Sequence, residues 1–102
     1  MGDRGNIIVK DGDSTVYLYT HWTGSDLPET LKGSLKRTKN GGRLNDGSYL
    51  ARIIFWDMIK DQHPEETSGF GISSTRGDGG TDITVDCDKQ TVDGVPFVTY
   101  AA

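Results

Sequence analysis

The chain has 102 residues, a net charge of −4 and an apolar content of 33%, which allows one domain with one modest core and is too little for two. That acidic balance argues against a nucleic-acid polymer as partner, which would call for a basic stripe. The single Cys87 excludes an intrachain disulfide framework and fits a reducing cytoplasm, and with no apolar run of spanning length and no lipidation signal, no membrane partner is expected.

In chain order, Asn6–Lys10 (NIIVK) and Thr15–His21 (TVYLYTH) are rich in β-branched and aromatic residues around the turn formers Asp11-Gly12-Asp13-Ser14, so they predict an N-terminal hairpin. Asp26 as N-cap with Glu29 three residues later, followed by Leu27, Leu31 and Leu35, predicts a short amphipathic helix with a narrow stripe. Lys36–Gly47 (KRTKNGGRLNDG) combines basic side chains with Asn-Gly-Gly and Asn-Asp-Gly, and predicts a flexible basic loop. A second helix follows over Ser48–Lys60 (SYLARIIFWDMIK) and ends before Pro64. Gly69–Ser73, Thr81–Asp86, Thr91–Asp93 and Val95–Tyr100 are short strand candidates. The expected fold is α+β: a mainly antiparallel sheet, made of the hairpin and the C-terminal strands, with two helices packed on one face.

On a helical wheel the second helix gives one continuous arc of Ile54, Met58, Ala51, Phe55, Ile59, Arg52, Trp56 and Tyr49. Arg52 is therefore expected within the buried face, where a guanidinium needs a carboxylate such as Asp57 or Glu29, or an anionic ligand. In the second strand Val16, Leu18, Thr20 and Trp22 alternate with Tyr17, Tyr19 and His21. Helices on the first row would leave the second as an aromatic surface for a subunit or a ligand. A nearly all-round apolar helix, this doubly apolar strand and a low apolar total together predict a homo-oligomer.

Motifs for catalysis are lacking. His21 and His63 stand at no zinc spacing, and Ser48 and Ser73 have no histidine at a hydrolase spacing. Asp82, Thr84, Asp86 and Asp88 read as the solvent side of a strand whose Ile83 and Val85 face the core. Cys87 between Asp86 and Asp88 has its thiolate disfavoured by like charge, the reverse of a catalytic cysteine. The glycines of Arg76-Gly77-Asp78-Gly79-Gly80 match no phosphate loop. No catalytic residue, metal ligand or cofactor is assigned. What remains is a constellation: His21, Trp22, Tyr49 and Trp56 as aromatic planes, with Arg43 and Arg52 as guanidinium forks. Aromatics stack on bases and arginine pairs bidentately with phosphate, so these six residues suit a nucleotide-like anion. Arg43 would close over it from a mobile flap. The plain alternative places Trp22 and Trp56 in the core, pairs Arg52 internally and leaves Arg43 solvated.

The segments RGNIIV (Arg4–Val9), VYLYTHWTG (Val16–Gly24), LP (Leu27–Pro28), YLARIIF (Tyr49–Phe55) and GFGIS (Gly69–Ser73), with a further match at Val85–Val92, resemble a family of short uncharacterised proteins encoded by phages and bacterial genomes. The resemblance implies a small viral or mobile-element accessory protein in the host cytoplasm, and carries no reaction or site residue with it. By analogy with phage proteins that soak up nucleotide signals of antiviral defence, the expected function is stoichiometric sequestration of such a ligand. The alternative is an inhibitor that binds a host defence protein. A small enzyme acting on a phosphorylated metabolite through His21 is the third reading, and it lacks an acid/base pair or nucleophile beside that histidine.

Overall fold

A computed structural model describes residues 3–41, 46–61, 69–77 and 80–102. Strands β1 (Gly5–Asp11) and β2 (Ser14–Thr20) form the expected hairpin. Its two-residue turn uses Gly12 at a φ of 61°, a conformation that costs glycine little. A 3-10 turn at Gly24–Asp26 leads into α1 (Leu27–Gly41), and α2 spans Gly47–Ile59. Strands β3 (Phe70–Ser73), β4 (Thr81–Asp86), β5 (Thr91–Val92) and β6 (Val95–Pro96) follow, then a one-turn helix α3 (Phe97–Tyr100).

These elements make an α+β protein with one six-stranded sheet in the order β3-β2-β1-β4-β5-β6. The sheet is mixed: four neighbouring pairs are antiparallel, and β1 runs parallel to β4 with Ile7 opposite Ile83 and Val9 opposite Val85. Parallel neighbours need a crossover, and between β3 and β4 the described residues 74–77 and 80 form no helix. Gly77 donates its N–H to Asn6 Oδ1 at 3.0 Å and accepts from Asn6 Nδ2 at 3.1 Å. It also lies against the Tyr19 ring, where an added Cβ would collide. Asn6 and Tyr19 alternate with Ile7 and Leu18, so this connection covers part of the sheet face opposite the core.

Ile7, Val9, Leu18, Ile83, Val85 and Val92 from the sheet, with Leu27, Leu31, Leu35, Leu50, Ile54 and Met58 from α1 and α2, form a single hydrophobic cluster. The leucine stripe of α1 is buried as its four-residue spacing predicts. Ser34 and Thr38 are buried beside it; Thr38 donates its hydroxyl to the Ser34 carbonyl at 2.6 Å, and the Ser34 oxygen lies 3.1 Å from the Thr30 carbonyl while its proton goes to Asp57.

Two local expectations are corrected. Lys36–Gly41 is helical, a continuation of α1 through good helix formers, and not loop; the rest of that basic segment up to residue 45, with the proposed flap residue Arg43, lies outside the described residues. Val95–Tyr100 is strand only at Val95–Pro96. Phe97 is 4% exposed and Tyr100 packs half-buried against the core, while Val98 is 71% exposed. Inward residues three apart follow a helical turn and not a strand's alternation, and Phe97 N–H is satisfied by Gln90 O at 2.8 Å.

The extension of α1 has an energetic role. The Arg37 guanidinium donates to both oxygens of Asp57 on α2, at 2.8 and 2.7 Å, and Ser34 Oγ donates to the same carboxylate at 2.5 Å. The Asp57 side chain is 6% exposed and that of Arg37 50%. Removing the cation leaves a buried carboxylate that keeps, among the described residues, Ser34 and a Lys60 contact at 3.6 Å. Arg37→Met should therefore destabilise the fold by about 2 kcal/mol, less than for a fully buried pair because one partner is half in water. Urea unfolding checks this, and a change below about 0.5 kcal/mol, the range of ordinary surface substitutions, would show that water replaces Arg37 without penalty.

Candidate functional site

Helix α2 is started by two carboxylates. Asp46 at the N-cap accepts from Tyr49 N–H at 3.5 Å, and Asp11 Oδ2 accepts from Gly47 N–H at 3.0 Å, so the helix entrance is pinned to the end of β1. A Cβ on Gly47 would strike Asp11. From this anchor Leu50, Ile54 and Met58 turn inward. The flank through Leu50 and Asp57 meets α1, and this decides the helix's rotation. Arg52 is consequently exposed, a correction to the wheel reading that placed it in the buried face. The internal partners considered for it are engaged elsewhere: Asp57 by Arg37, Glu29 by Lys32 at 3.7 Å.

Tyr49 and Trp56 are likewise at the surface, 46% and 53% exposed. Tyr49, Arg52 and Trp56 follow at intervals of three and four, so they share one stripe of the helix. Below it, between α2 and the sheet edge, lies a 240 Å³ groove lined by Val16, Leu18, Ala51, Phe55 and Ile72, with Ser48 and Arg52 as its polar members. The sequence reading missed Ile72. It is 61% exposed, and its pairing opposite Leu18 puts it on the core side of the sheet.

His21 and Trp22 sit together at the end of β2, rings edge to face with centroids 6.4 Å apart. Trp22 is 43% exposed, so neither tryptophan is a core residue. Its ring meets Phe70 edge-on at 6.0 Å and closes over Gly69, whose φ is 95° and where a Cβ would collide with the indole. His21 turns the other way: its Nδ1 is 3.3 Å from Tyr19 Oη, on the face the crossover partly covers. Tyr17, Tyr19 and His21 are therefore half-buried, not an open row. The structure gathers Tyr49, Arg52 and Trp56 on one helix face and links Trp22 to the same sheet side through Phe70 and Ile72, two apart on β3. His21 keeps its ring contact with Trp22 but turns its Nδ1 to Tyr19 on the covered face, and Arg43 and His63 lie outside the described residues.

The acidic strand face is engaged internally. Asp82 accepts from Asn6 at 3.1 Å and Arg76 Nε at 2.7 Å, Asp86 accepts from the Asp88 and Lys89 N–H groups, and Asp88 accepts from Gly12 N–H. Among the described residues no group of three or more His, Cys, Asp or Glu is placed to hold a metal ion.

Cys87 is buried at 1% exposure. Burial pushes its thiol from 9.0 up to about 12, and Asp11, Asp86, Asp88 and Asp46 push the same way. A raised folded value means the contribution is intact below pH 9 and is lost as pH climbs towards 12, because only the unfolded chain ionises there. Stability should fall by about 1.4 kcal/mol per pH unit above 9 from this group. Denaturant midpoints measured from neutral to high pH should thus decline less steeply in Cys87→Ala than in the parent; parallel slopes would remove the thiol as the cause.

No helix in the described residues is long and apolar enough to cross a membrane. Comparison of the chain with protein-family models, with curated proteins and with solved structures gives no match.

Proposed function

We propose that this protein binds a small nucleotide-like anion on the outer face of α2 and sequesters it without chemical change. One observation carries the reading. Arg52 stands exposed at the mouth of an apolar groove, makes no ion pair among the described residues, and lies one turn from an exposed tyrosine on one side and an exposed tryptophan on the other. A guanidinium supplies the fork that phosphate oxygens match, the rings offer planes for a base, and the groove takes apolar surface. The finer layering belongs to this reading: both helices lie on one face of the sheet, and α2 fails to cover the β3 side, which opens the groove. The resemblance to short phage-encoded proteins supplies the biological setting, capture of a defence signal in the host cytoplasm.

A second reading has its own support. Tyr49, Trp56 and Ile72 form exposed apolar surface, which also suits a protein partner. An enzyme acting through His21 has less, because His21 faces Tyr19 and not the groove.

One experiment separates them. The purified protein is mixed with nucleoside mono-, di- and triphosphates, washed, denatured, and the released small molecules identified. Intact nucleotide supports sequestration, altered nucleotide means catalysis, and no uptake favours the protein partner. Added salt should weaken uptake, since the Arg52 attraction is screened at an exposed site.

A further inference from the structure

We infer that the free edge of β3 is a self-association surface, on which a second copy of this chain pairs antiparallel about a two-fold axis. The two sheet edges are built differently. At β6 the edge strand is two residues long, contains Pro96 and runs directly into a helix, all features that block further pairing. At β3 the edge is Phe-Gly-Ile-Ser, with no proline and no charge, and among the described residues no strand lies beyond it.

The hydrogen-bond phase favours the same edge. Gly69 O accepts from His21 N–H at 2.7 Å, which fixes Gly69, Gly71 and Ser73 as the residues bonded to β2. Phe70 and Ile72, alternating with them, direct their N–H and C=O outward. Those two residues also carry the strand's apolar side chains, both on the core side of the sheet. A two-fold pairing of Ile72 with the same residue of a second copy satisfies both periodicities. It closes outward-facing backbone bonds and keeps the helices of both copies on the same side of one continuous sheet. The two Ile72 side chains, each 61% exposed alone, then meet across the axis at the mouths of the two grooves. A charged partner strand would gain no complement here, and an identical apolar one does.

The test is the mass of the full chain by light scattering over a wide concentration range, with three variants. The parent should reach twice the 11.1 kDa of one chain. Ile72→Pro removes an outward N–H without touching a β2 bond, and Ile72→Lys places charge on the axis; both should be monomers with unchanged circular dichroism, and the lysine variant decides the matter if the proline variant unfolds. Trp56→Lys, on the helix face, should remain a dimer. A monomeric parent at every concentration, a dimeric Ile72→Lys, or dissociation by Trp56→Lys alone would overturn the inference. Because Ile72 also lines the groove, nucleotide uptake is read on the parent protein, which carries no Ile72 change: a dimer that takes up nothing contradicts only the ligand reading, and a monomer that takes it up contradicts only the interface.

Discussion

Gly80→Ala should destabilise the protein by about 3 kcal/mol or more, the largest loss expected of a methyl group added at any described glycine. Two penalties coincide there. Gly80 has a φ of 78°, which an L side chain rarely adopts, and its added Cβ would fall on the Arg4 carbonyl. That carbonyl is not free to move, because it accepts the Thr81 N–H at 3.1 Å and so begins the parallel pairing of β1 with β4. A Cβ on Gly24 would meet the same carbonyl, and the Gly24 N–H is held by Asp3 O at 2.6 Å. The start of β1 is thus clamped between two glycines that enter from β2 and towards β4. Gly33 is the internal control: it lies exposed in α1 with nothing within 4 Å of an added Cβ. Gly33→Ala should raise stability by about 0.5–1 kcal/mol through helix propensity. Thermal or urea unfolding of both variants measures the contrast. Equal and small effects would mean that the Arg4 segment relaxes, and that the clamp has no energetic content.

Much of this architecture is written in local pattern. The alternation in Asn6–Lys10 and in Thr81–Asp86, and the four-residue spacing of Leu27, Leu31 and Leu35, each state a period, and the structure follows them. Ile83 and Val85 face the core with the aspartates opposite, as their alternation implies. What was not legible depends on distant partners. Helix α2 is apolar almost all round, so its wheel could not say which flank is buried; Arg37, twenty positions from Asp57, settles it by ion pairing and turns Arg52 outward. The parallel β1–β4 pairing is invisible because the short connection from β3 carries no periodic signature in the sequence, and the Gly77–Asn6 and Arg76–Asp82 bonds mark its described part. Lys36–Gly41 reads as loop from its Asn-Gly-Gly end, although the preceding residues are good helix formers. For the site, residue types were legible but their grouping was not. Tyr49, Arg52 and Trp56 come together by helical spacing, whereas His21 and Trp22, adjacent in sequence just past the end of β2, keep their rings in edge contact but turn to different partners, Tyr19 and Phe70.

The second large effect concerns Arg52. Because it is exposed and makes no ion pair among the described residues, Arg52→Met should leave stability within about 0.5 kcal/mol of the parent, or raise it slightly. Its loss should be felt by the ligand. A charge-assisted bidentate bond to phosphate is worth about 2–3 kcal/mol, so affinity should fall by roughly 30- to 150-fold. Trp56→Ala, which removes only a stacking plane, should cost about 1–3 kcal/mol of binding.

Calorimetric titration of the parent and of Arg52→Met, with whichever nucleoside phosphate the parent retains on washing, tests the central claim most directly. The parent should bind saturably and release its ligand unchanged, and the equally stable variant should bind at least about 30-fold more weakly, the effect of losing about 2 kcal/mol. Equal affinities for the two proteins, or no heat of binding with any of the nucleotides, would contradict it.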